Sequence, residues 1–334
     1  MTLKDIANEV GTTPATVSRV LNGYNKNFSV TEALRERILD VAKRSNYHPN
    51  PLYKGIRTTK GLPVSIVFPC ADLMTTYTVS NTAVQTIAQD LHDHGRECLF
   101  SFSFNQDLGT YSAPHWRTSA LVLPDVRTPA QLCELGAMKA PIVVVNGSGN
   151  GSCDVASCDT RQNMLTIFNM LRSFGHRRIF YATYGAYPVQ HYSVDGRENA
   201  YCDCCRKFGL PILDGWDTRT EDESIHLDLA IAQKATAVIC YNHGTATRML
   251  HEAWLRGIKV PEDLSMICFN DDPLLPYTNP ALTCLDPDGT TLGHAATKLL
   301  MKRLECGSEL VPQSVETAGR LIERASIARP KHAS

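Results

Sequence analysis

The stretch Thr12-Thr13-Pro14-Ala15-Thr16-Val17-Ser18-Arg19-Val20-Leu21-Asn22 predicts a short helix with one buried face and one exposed face. The Thr13 hydroxyl is placed to accept a hydrogen bond from a free N–H of the first turn. Pro14 stands at the first helical position, where its missing N–H costs nothing. The spacing of Val17, Val20 and Leu21 gives one apolar stripe. The opposite face is small and polar, which suits close approach to base edges in a DNA groove.

Helices are predicted on both sides of this stretch. The helix before it carries an apolar stripe and ends at Gly11; the stripe consists of Leu3, Ile6, Ala7 and Val10. After a polar loop, Thr31 is placed to cap a third helix, whose inner face carries Leu34, Ile38, Val41 and Ala42. Two helices separated by a few residues form a helix-turn-helix. On geometry alone, a small helical bundle that merely packs is the alternative.

Three separated blocks of this region resemble the start of the LacI/GalR family of bacterial transcription regulators. The blocks are Leu3-Lys4-Asp5-Ile6-Ala7, Ala15 to Asn22, and Asn46-Tyr47-His48-Pro49-Asn50. The resemblance implies an α/β protein with an N-terminal all-α helix-turn-helix headpiece, a hinge helix and a periplasmic-binding-protein-like effector domain. It implies that double-stranded operator DNA is contacted by Leu3, Lys4, Thr13, Pro14, Ala15, Thr16, Ser18, Arg19, Asn22 and Ile56.

Length, composition and charge agree with this reading. A chain of 334 residues with 43% hydrophobic and 20% charged residues suits two or three globular domains. We find no apolar run long enough to span a membrane and no apolar segment typical of a secretory signal, so we expect a cytoplasmic protein. Residues 1–60 hold ten Lys and Arg against five Asp and Glu, whereas the remainder holds 23 against 29. A basic end on an acidic body suits contact with DNA phosphates, although chance unevenness is the alternative.

The twelve cysteines do not indicate a disulfide framework or a metal site. In a long chain without a signal sequence, reduced thiols are expected. Cys202, Cys204 and Cys205 cluster on a predicted helix, which cannot turn all three sulfurs toward one metal ion. No Cys-x-x-Cys pair is matched by histidines at zinc-binding spacing. We therefore expect buried cysteines that act as small hydrophobic residues, with no metal and no cofactor.

A linker is predicted to follow the headpiece. Pro49 and Pro51 end the third helix, and the family resemblance implies that 51–57 orders as a hinge helix on specific DNA. In relatives a leucine from each subunit wedges into the minor groove, and Ile56 stands at the matching position here. Gly55 lowers helix propensity by about 1 kcal/mol relative to alanine. A plain flexible linker is the alternative.

From Pro63 onward, short apolar runs alternate with amphipathic stretches, which is typical of doubly wound parallel sheets. The predicted strands are 64–68, 97–102, 120–123, 142–145, 178–181, 237–240 and 264–269, and the predicted helices include 79–95, 161–174, 195–208 and 245–257. We predict a headpiece at 1–48, a hinge at 49–61 and an effector and dimerisation domain at 62–330. Its first lobe is predicted at 62–158 with 285–312, and its second at 159–284 with 313–330.

Polar side chains follow several predicted strands, where open α/β sheets place their ligands. The candidate effector-binding residues are Asn146, Arg197, Trp216, Asn242, His243 and Asn270. Arg197 is expected near the start of a helix, and Trp216 is expected to stack on an apolar sugar face. Loop-end polarity without a ligand is the alternative for each residue. For Arg197, a structural salt bridge with Asp195, Glu198 or Asp271 is a further alternative.

The candidate effector site departs from its sugar-binding relatives at three positions. Asn146, His243 and Asn270 stand where such relatives often carry aspartate. A less acidic pocket still accommodates a neutral sugar, because Asn both donates and accepts, and it also accommodates an anion. Pro69-Cys70-Ala71-Asp72-Leu73-Met74 departs from the usual first-strand loop as well. The sequence therefore leaves open whether the effector is neutral or anionic.

We expect a DNA-binding regulator, most simply a homodimeric repressor, whose operator affinity responds to a sugar or a sugar derivative. Twofold symmetry of the protein would be mirrored in a near-palindromic operator. A solute-binding protein or a sugar-acting enzyme on the same fold is the alternative. We find no catalytic residues, because the chain has no G-x-S-x-G elbow, no phosphate loop and no cluster of metal ligands.

Overall fold

The computed structural model describes residues 2–21, 30–45, 47, 62–69, 78–103, 110–135, 138–185, 191–220, 222–306 and 310–331. The chain forms two compact units. The first unit comprises residues 1–63 with 116–119, and the second comprises 64–115 with 120–334.

The first unit contains three helices around a small apolar core. Helix α1 spans Leu3–Val10, α2 spans Pro14–Leu21 and α3 spans Glu32–Arg44. The core contains the predicted inward-facing side chains Ile6, Ala7, Val10, Val17, Val20, Ile38, Val41 and Ala42. The helical spacing read from the sequence therefore identifies the buried faces correctly.

The helix ends of the first unit agree with the sequence at two of three predicted positions. Thr13 Oγ1 accepts a hydrogen bond from the Thr16 N–H at 3.2 Å, and Gly11 ends α1 with a positive φ of 71°. Thr31 occupies the N-cap of α3, but its side chain makes no capping hydrogen bond. The structure adds a capping box at α1, in which Thr2 and Asp5 each bond the other's backbone N–H.

The second unit alternates strands and helices along the chain. Its strands are β1 Val64–Phe68, β2 Cys98–Phe102, β3 Ala120–Pro124, β4 Ile142–Val145, β5 Asp154–Cys158, β6 Ile179–Ala182, β7 Ala237–Cys240, β8 Ser265–Phe269, β9 Thr283–Asp286, β10 Ser314–Thr317 and β11 Arg320–Ile322. Its α-helices are α4 Thr78–Asp93, α5 Thr160–Ser173, α6 Ser193–Phe208, α7 Glu223–Ala232, α8 His243–Leu255 and α9 Gly289–Cys306. Two 3₁₀ helices lie at Pro129–Leu135 and Leu275–Tyr277.

These strands form two sheets, which define two lobes. The first sheet has the order β10-β5-β4-β3-β1-β2, and every pairing in it is parallel. The second sheet has the order β11-β9-β8-β7-β6, parallel except for the β11–β9 pair. In the first lobe α4 and α9 pack on one face of the sheet, and in the second lobe α5 and α6 do so. This confirms the predicted α/β class of doubly wound sheets.

The chain passes between the lobes three times within its described part. The passages lie after β5, between β9 and α9, and between β10 and β11. They are close together: the Asp159 N–H donates to the Thr317 carbonyl at 2.9 Å, and a Cβ on Gly319 would lie 2.4 Å from the Asp286 carbonyl oxygen. Glycine at 319 therefore permits two passages to touch.

One predicted lobe boundary is wrong. The sequence predicts residues 313–330 in the second lobe, but β10, Ser314–Thr317, pairs with β5 in the first sheet. The third passage therefore lies at about residues 318–319 rather than at 312–313. The error arises because Ser314 to Glu316 are exposed at a sheet edge, so their sequence lacks the apolar run of a buried strand.

The cysteines of the second unit lie mostly in its cores. Cys202, Cys204 and Cys205 are buried on α6, and burial raises the pKa of Cys205 to about 12. Among the described residues, no group of three His, Cys, Asp or Glu side chains is arranged to hold a metal ion. Within the same residues, no helix combines the length and apolar character needed to cross a membrane.

Candidate functional site: the crevice between the lobes

A cavity of about 160 Å³ lies between the two lobes of the second unit, at the carboxyl ends of several strands. This volume is close to the ~150 Å³ of a protein cavity that holds one benzene ring. Its described lining residues are Val79, Asn146, Cys158, Thr160, Tyr184, His191, Tyr192, Ser193, Arg197, Tyr241, Asn242, His243, Gly244, Arg248, Asn270 and Pro287. Five of the six predicted effector-binding residues are among them.

Arg197 lies on the first turns of α6 and is 6% exposed. Its guanidinium donates to the Tyr241 carbonyl at 2.5 Å and to Asn270 Oδ1 at 3.3 Å. The same group lies over the Tyr241 and Phe269 rings, 4.7 and 4.2 Å from their centroids. These aromatic faces stabilise a cation. Arg197 Nε has no hydrogen-bond partner in the structure.

The alternative of a structural salt bridge at Arg197 does not match the contacts. Asp195 and Glu198 each lie 2.8 Å from the Arg219 guanidinium, and Asp271 lies 2.8 Å from Arg324. Within the described residues, no ion pair involves Arg197. This arginine is therefore a buried cation held by carbonyl oxygens and aromatic rings.

Asn242 and His243 begin helix α8 at the cavity wall. Asn242 is the N-cap, and its Oδ1 accepts from the Thr245 N–H at 2.8 Å. The capping bond uses Oδ1 only, and the amide Nδ2 of this lining residue is a hydrogen-bond donor. Burial lowers the pKa of His243, although Asp272 at 3.8 Å opposes the shift. The buried His243 Nδ1 has no partner in the structure.

The two asparagines that follow β4 and β8 have left-handed backbones. The φ angles are 51° at Asn146 and 67° at Asn270. Asparagine tolerates this region better than most residues. The sequence therefore places asparagine there for a backbone reason that is independent of any ligand.

Asn146 is 9% exposed and its amide is fully engaged with protein groups. Its Nδ2 donates to Ser80 Oγ and to Asp125 Oδ1, both at 2.9 Å. Its Oδ1 accepts from the Tyr192 hydroxyl at 3.1 Å. Because both Nδ2 protons are used, this side chain acts mainly as a connector within the wall.

His191 and Tyr192 connect the second lobe to Asn146 of the first lobe, and sequence reasoning missed both. Neutral His191 donates through Nε2 to the Asn146 carbonyl at 2.8 Å, while its Nδ1 lies 2.8 Å from Ser193 Oγ. Burial lowers the pKa of His191 to about 4, so the ring is uncharged at neutral pH. The available signal was their position directly before α6.

Asp125 lies behind Asn146 and is 1% exposed. Its Oδ1 accepts from Ser80 Oγ at 2.6 Å as well as from Asn146. Its Oδ2 is buried without a partner in the structure. Burial raises the pKa of Asp125 from its ordinary 3.8 to about 6, and the two hydrogen bonds oppose this shift.

Trp216 is not among the described residues that line the cavity. Its ring packs against the core of the second lobe, 5.9 Å from the Tyr201 ring centroid. The expected stacking on a sugar face therefore has no support in this arrangement. A lone tryptophan in a loop gives no sequence signal that distinguishes core packing from ligand contact.

The predicted DNA-contacting residues of the first unit lie on α1 and α2. Lys4, Thr13, Pro14, Ala15 and Arg19 are exposed, whereas Leu3, Thr16 and Ser18 are half-buried. On α2, Pro14, Ala15 and Arg19 are exposed, whereas Val17 and Val20 are buried in the core. Asn22, Ile56, the hinge at 49–61 and Cys70 to Met74 lie outside the described residues.

Both units match known families. Residues 2–50 match bacterial regulatory proteins of the lacI family, and residues 168–327 match a periplasmic binding protein-like domain. The chain is 26% identical to the HTH-type transcriptional regulator AscG of Escherichia coli K12, over 98% of this chain and 99% of that protein.

Solved structures share the fold. A lac repressor dimer bound to operator and the anti-inducer ONPF matches with a TM-score of 0.79 and 17% identity, over 98% of this chain and 99% of that one. A complex of the transcriptional regulator CelR with cellobiose matches with a TM-score of 0.65 and 19% identity, over the same shares.

A helix-turn-helix unit followed in one chain by a two-lobed unit with a crevice defines a class: DNA-binding transcription regulators that carry an effector-binding domain. The matches along nearly the whole chain make the assignment specific. Residues 2–50 match the DNA-binding domain of lacI-family bacterial regulators, and the chain is similar to transcription regulators along nearly its whole length.

Proposed function

We propose that this chain is a cytoplasmic, homodimeric repressor whose operator affinity is controlled by a sugar or sugar derivative bound between the lobes. The observation that carries the proposal is the buried Arg197 at a cavity lined by strand-end polar groups, in a chain that also holds a helix-turn-helix. Arg197, Asn242 and Asn270 are the proposed effector contacts. His243 contributes an imidazole at the same wall.

The first unit supports the DNA-binding half of the proposal. The exposed side of α2 carries short side chains and one arginine, a combination that fits the major groove. Pro14 and Ala15 donate no side-chain hydrogen bond, so base choice there relies on apolar contact, for instance with a thymine methyl. The net charge of +5 on residues 1–60 favours DNA phosphates.

The effector half draws on the cavity and on the relatives. The CelR structure is a complex with cellobiose, and the lac repressor structure contains the anti-inducer ONPF. The donors and acceptors at the crevice suit hydroxyl recognition, because Arg only donates while Asn does both. Effector and operator affinities are then coupled, and the coupling acts equally in both directions.

The homodimer is supported by apolar side chains exposed on the second lobe. Trp254 is 72% and Tyr277 is 85% exposed, and Leu255 and Leu274 are more than half exposed. Large exposed apolar groups are typical of interaction surfaces. A twofold dimer also presents two headpieces, and two are needed because one headpiece covers only a short half-site.

The experiment is operator binding by the full-length protein. The operator comes from binding-site selection, and affinity is followed by fluorescence anisotropy. Arg19→Ala should weaken specific binding by roughly 1–3 kcal/mol. Arg37→Ala on α3 removes the same charge from the same unit and serves as the control. Unchanged operator affinity in a folded Arg19→Ala variant contradicts the readout assigned to α2.

The same titration measures stoichiometry. Above the dissociation constant, we expect two chains per operator. One chain per operator, together with a monomer at every concentration in sedimentation, contradicts the homodimer.

A further inference from the structure

We propose that the effector is an anion: a monosaccharide-sized compound whose carboxylate or phosphate group binds Arg197. This inference rests on the proposed effector function of the crevice and names the ligand class for that site. It starts from the charges that line the cavity.

The described lining of the cavity contains cations and no carboxylate. Arg197 and Arg248 line it, together with two histidines, and no Asp or Glu does so within the described residues. Arg248 is compensated, because its Nη2 lies 2.8 Å from the buried Glu223. Within the described part of the chain Arg197 has no such carboxylate, so among these residues its positive charge lacks a counterion.

The cost of that arrangement indicates what completes it. A buried charge without a counterion is unfavourable, because desolvation is offset only in part by neutral partners. Arg197 is more than nine-tenths buried, and its Nε has no partner in the structure. An oxyanion would supply both the missing charge and the missing acceptor. Arginine binds carboxylates and phosphates through paired N–H groups, which gives strong and oriented hydrogen bonds.

The acidic side chains near Arg197 already pair with other groups. Asp195, Glu198 and Asp271 pair with Arg219 or Arg324. Asp125 lies behind Asn146 and holds its hydrogen bonds within the first lobe. These carboxylates therefore do not neutralise the Arg197 side of the cavity by direct contact.

Helix starts reinforce the positive potential. Ser193 in α6 and His243 and Gly244 in α8 line the cavity from the first turns of their helices. Helix N-termini carry unpaired N–H groups and a partial positive charge, which favour anions. The cavity of about 160 Å³ formed by the described residues suits a ligand of roughly one sugar ring or a shorter polyol acid.

The test uses pairs of probes that share stereochemistry and differ in charge. Calorimetry and thermal shift are run with D-glucose and D-glucuronate, D-galactose and D-galacturonate, and D-glucose and glucose 6-phosphate. Inorganic phosphate is added as a minimal oxyanion, and sodium chloride at equal ionic strength is the control. We expect at least one anionic member to bind tenfold or more tightly than its neutral partner.

The arginine is tested with a matched variant. Arg197→Met should abolish the anion-dependent thermal shift, while Arg206→Met, which removes an exposed arginine from the same helix, should behave as wild type. A circular dichroism melt establishes that both variants fold. The carboxylate and phosphate probes separate the two kinds of oxyanion.

Two outcomes overturn the proposal and can be told apart. If neutral sugars bind as tightly as their acids, and Arg197→Met weakens them, the effector site stands and the anionic ligand is wrong. If no probe of either charge binds in calorimetry or shifts the melting temperature while operator binding is intact, both the anionic effector and the sugar-type effector site are wrong.

Discussion

The two walls of the crevice use their polar atoms in opposite ways. On the first-lobe side, Asn146, Asp125 and Ser80 bond to one another and Asn146 also bonds to the opposite lobe, although Asp125 Oδ2 has no partner among the described residues. On the second-lobe side, Arg197 Nε and His243 Nδ1 are buried without partners in the structure. Satisfied buried polar groups hold a protein together, whereas unsatisfied ones cost stability and are typical of binding sites. We therefore expect the first wall to act mainly as a structural element and the second to supply most of the ligand contacts.

The largest effect expected from this contrast concerns the free energy of unfolding. Asn146→Ala removes the Nδ2 donor to Asp125 and Ser80 and the acceptor of the Tyr192 hydroxyl, and alanine is strained at a φ of 51°. We expect a loss of about 2–4 kcal/mol. Arg197→Met removes an uncompensated buried charge, so its cost should stay below about 1 kcal/mol. Urea unfolding measures both.

Asn146→Gly separates the two causes, because glycine relieves the backbone strain but not the lost hydrogen bonds. A greater loss of stability in Arg197→Met than in Asn146→Ala would reverse the roles assigned to the walls.

An intermediate effect is expected from the pKa of Asp125. Because burial raises this pKa to about 6, the folded state binds the proton more tightly than the unfolded state. The stabilisation that comes from proton binding at Asp125 is fully present below pH 4 and is lost as the pH rises through 6. Asp125→Asn keeps the acceptor and cannot ionise. The difference in unfolding free energy between Asp125→Asn and wild type should therefore shift in favour of the variant by about 1–2 kcal/mol as the pH rises from 5 to 7.5.

Thermal melts at the two pH values measure this gain. His191, 3.7 Å from Asp125 Oδ1, is neutral across that range because its pKa is about 4. A stability difference between Asp125→Asn and wild type that does not change with pH would show that Asp125 is not protonated in the fold.

The smallest effect is expected from the contact between the lobes. Tyr192→Phe removes the hydroxyl that donates to Asn146 Oδ1 and accepts from the Cys158 N–H at 3.4 Å. We expect a loss of about 1 kcal/mol in the free energy of unfolding. Tyr277→Phe, at an 85% exposed position, is the control and should change nothing. Equal losses in the two variants would indicate that the Tyr192 hydroxyl contributes nothing specific.

Much of the fold could be predicted because its signals are local. The strand Val64–Phe68 is an unbroken apolar run and was predicted with the bounds observed. The strand Asp154–Cys158 was missed because Asp154 reads as a surface residue. In the structure Asp154 is buried and paired with Arg303, at 2.6 Å, across 149 positions of sequence. No window of sequence shows such a partner.

At the candidate site, too, the features that local sequence shows were predictable, and those that depend on distant residues were not. Residues directly after apolar strands, such as Asn242 and Asn270, are identified by the rule that ligands lie at strand ends. The engagement of Asn146 was not predictable, because it depends on His191 and Tyr192, which follow 45 and 46 residues later. Trp216 shows the converse, since its residue type suits a sugar while its ring packs, partly buried, against the core of the second lobe.

The three passages of the chain between the lobes have a mechanical consequence. Two lobes joined by a single chain segment can twist and tilt relative to each other. Three adjacent connecting segments restrict most of those motions. The Asp159–Thr317 hydrogen bond and the contact at Gly319 bind the connecting segments into one narrow band. We expect the remaining relative motion of the two lobes to be a hinge rotation about that band. We therefore expect a ligand in the crevice to change the angle between the lobes.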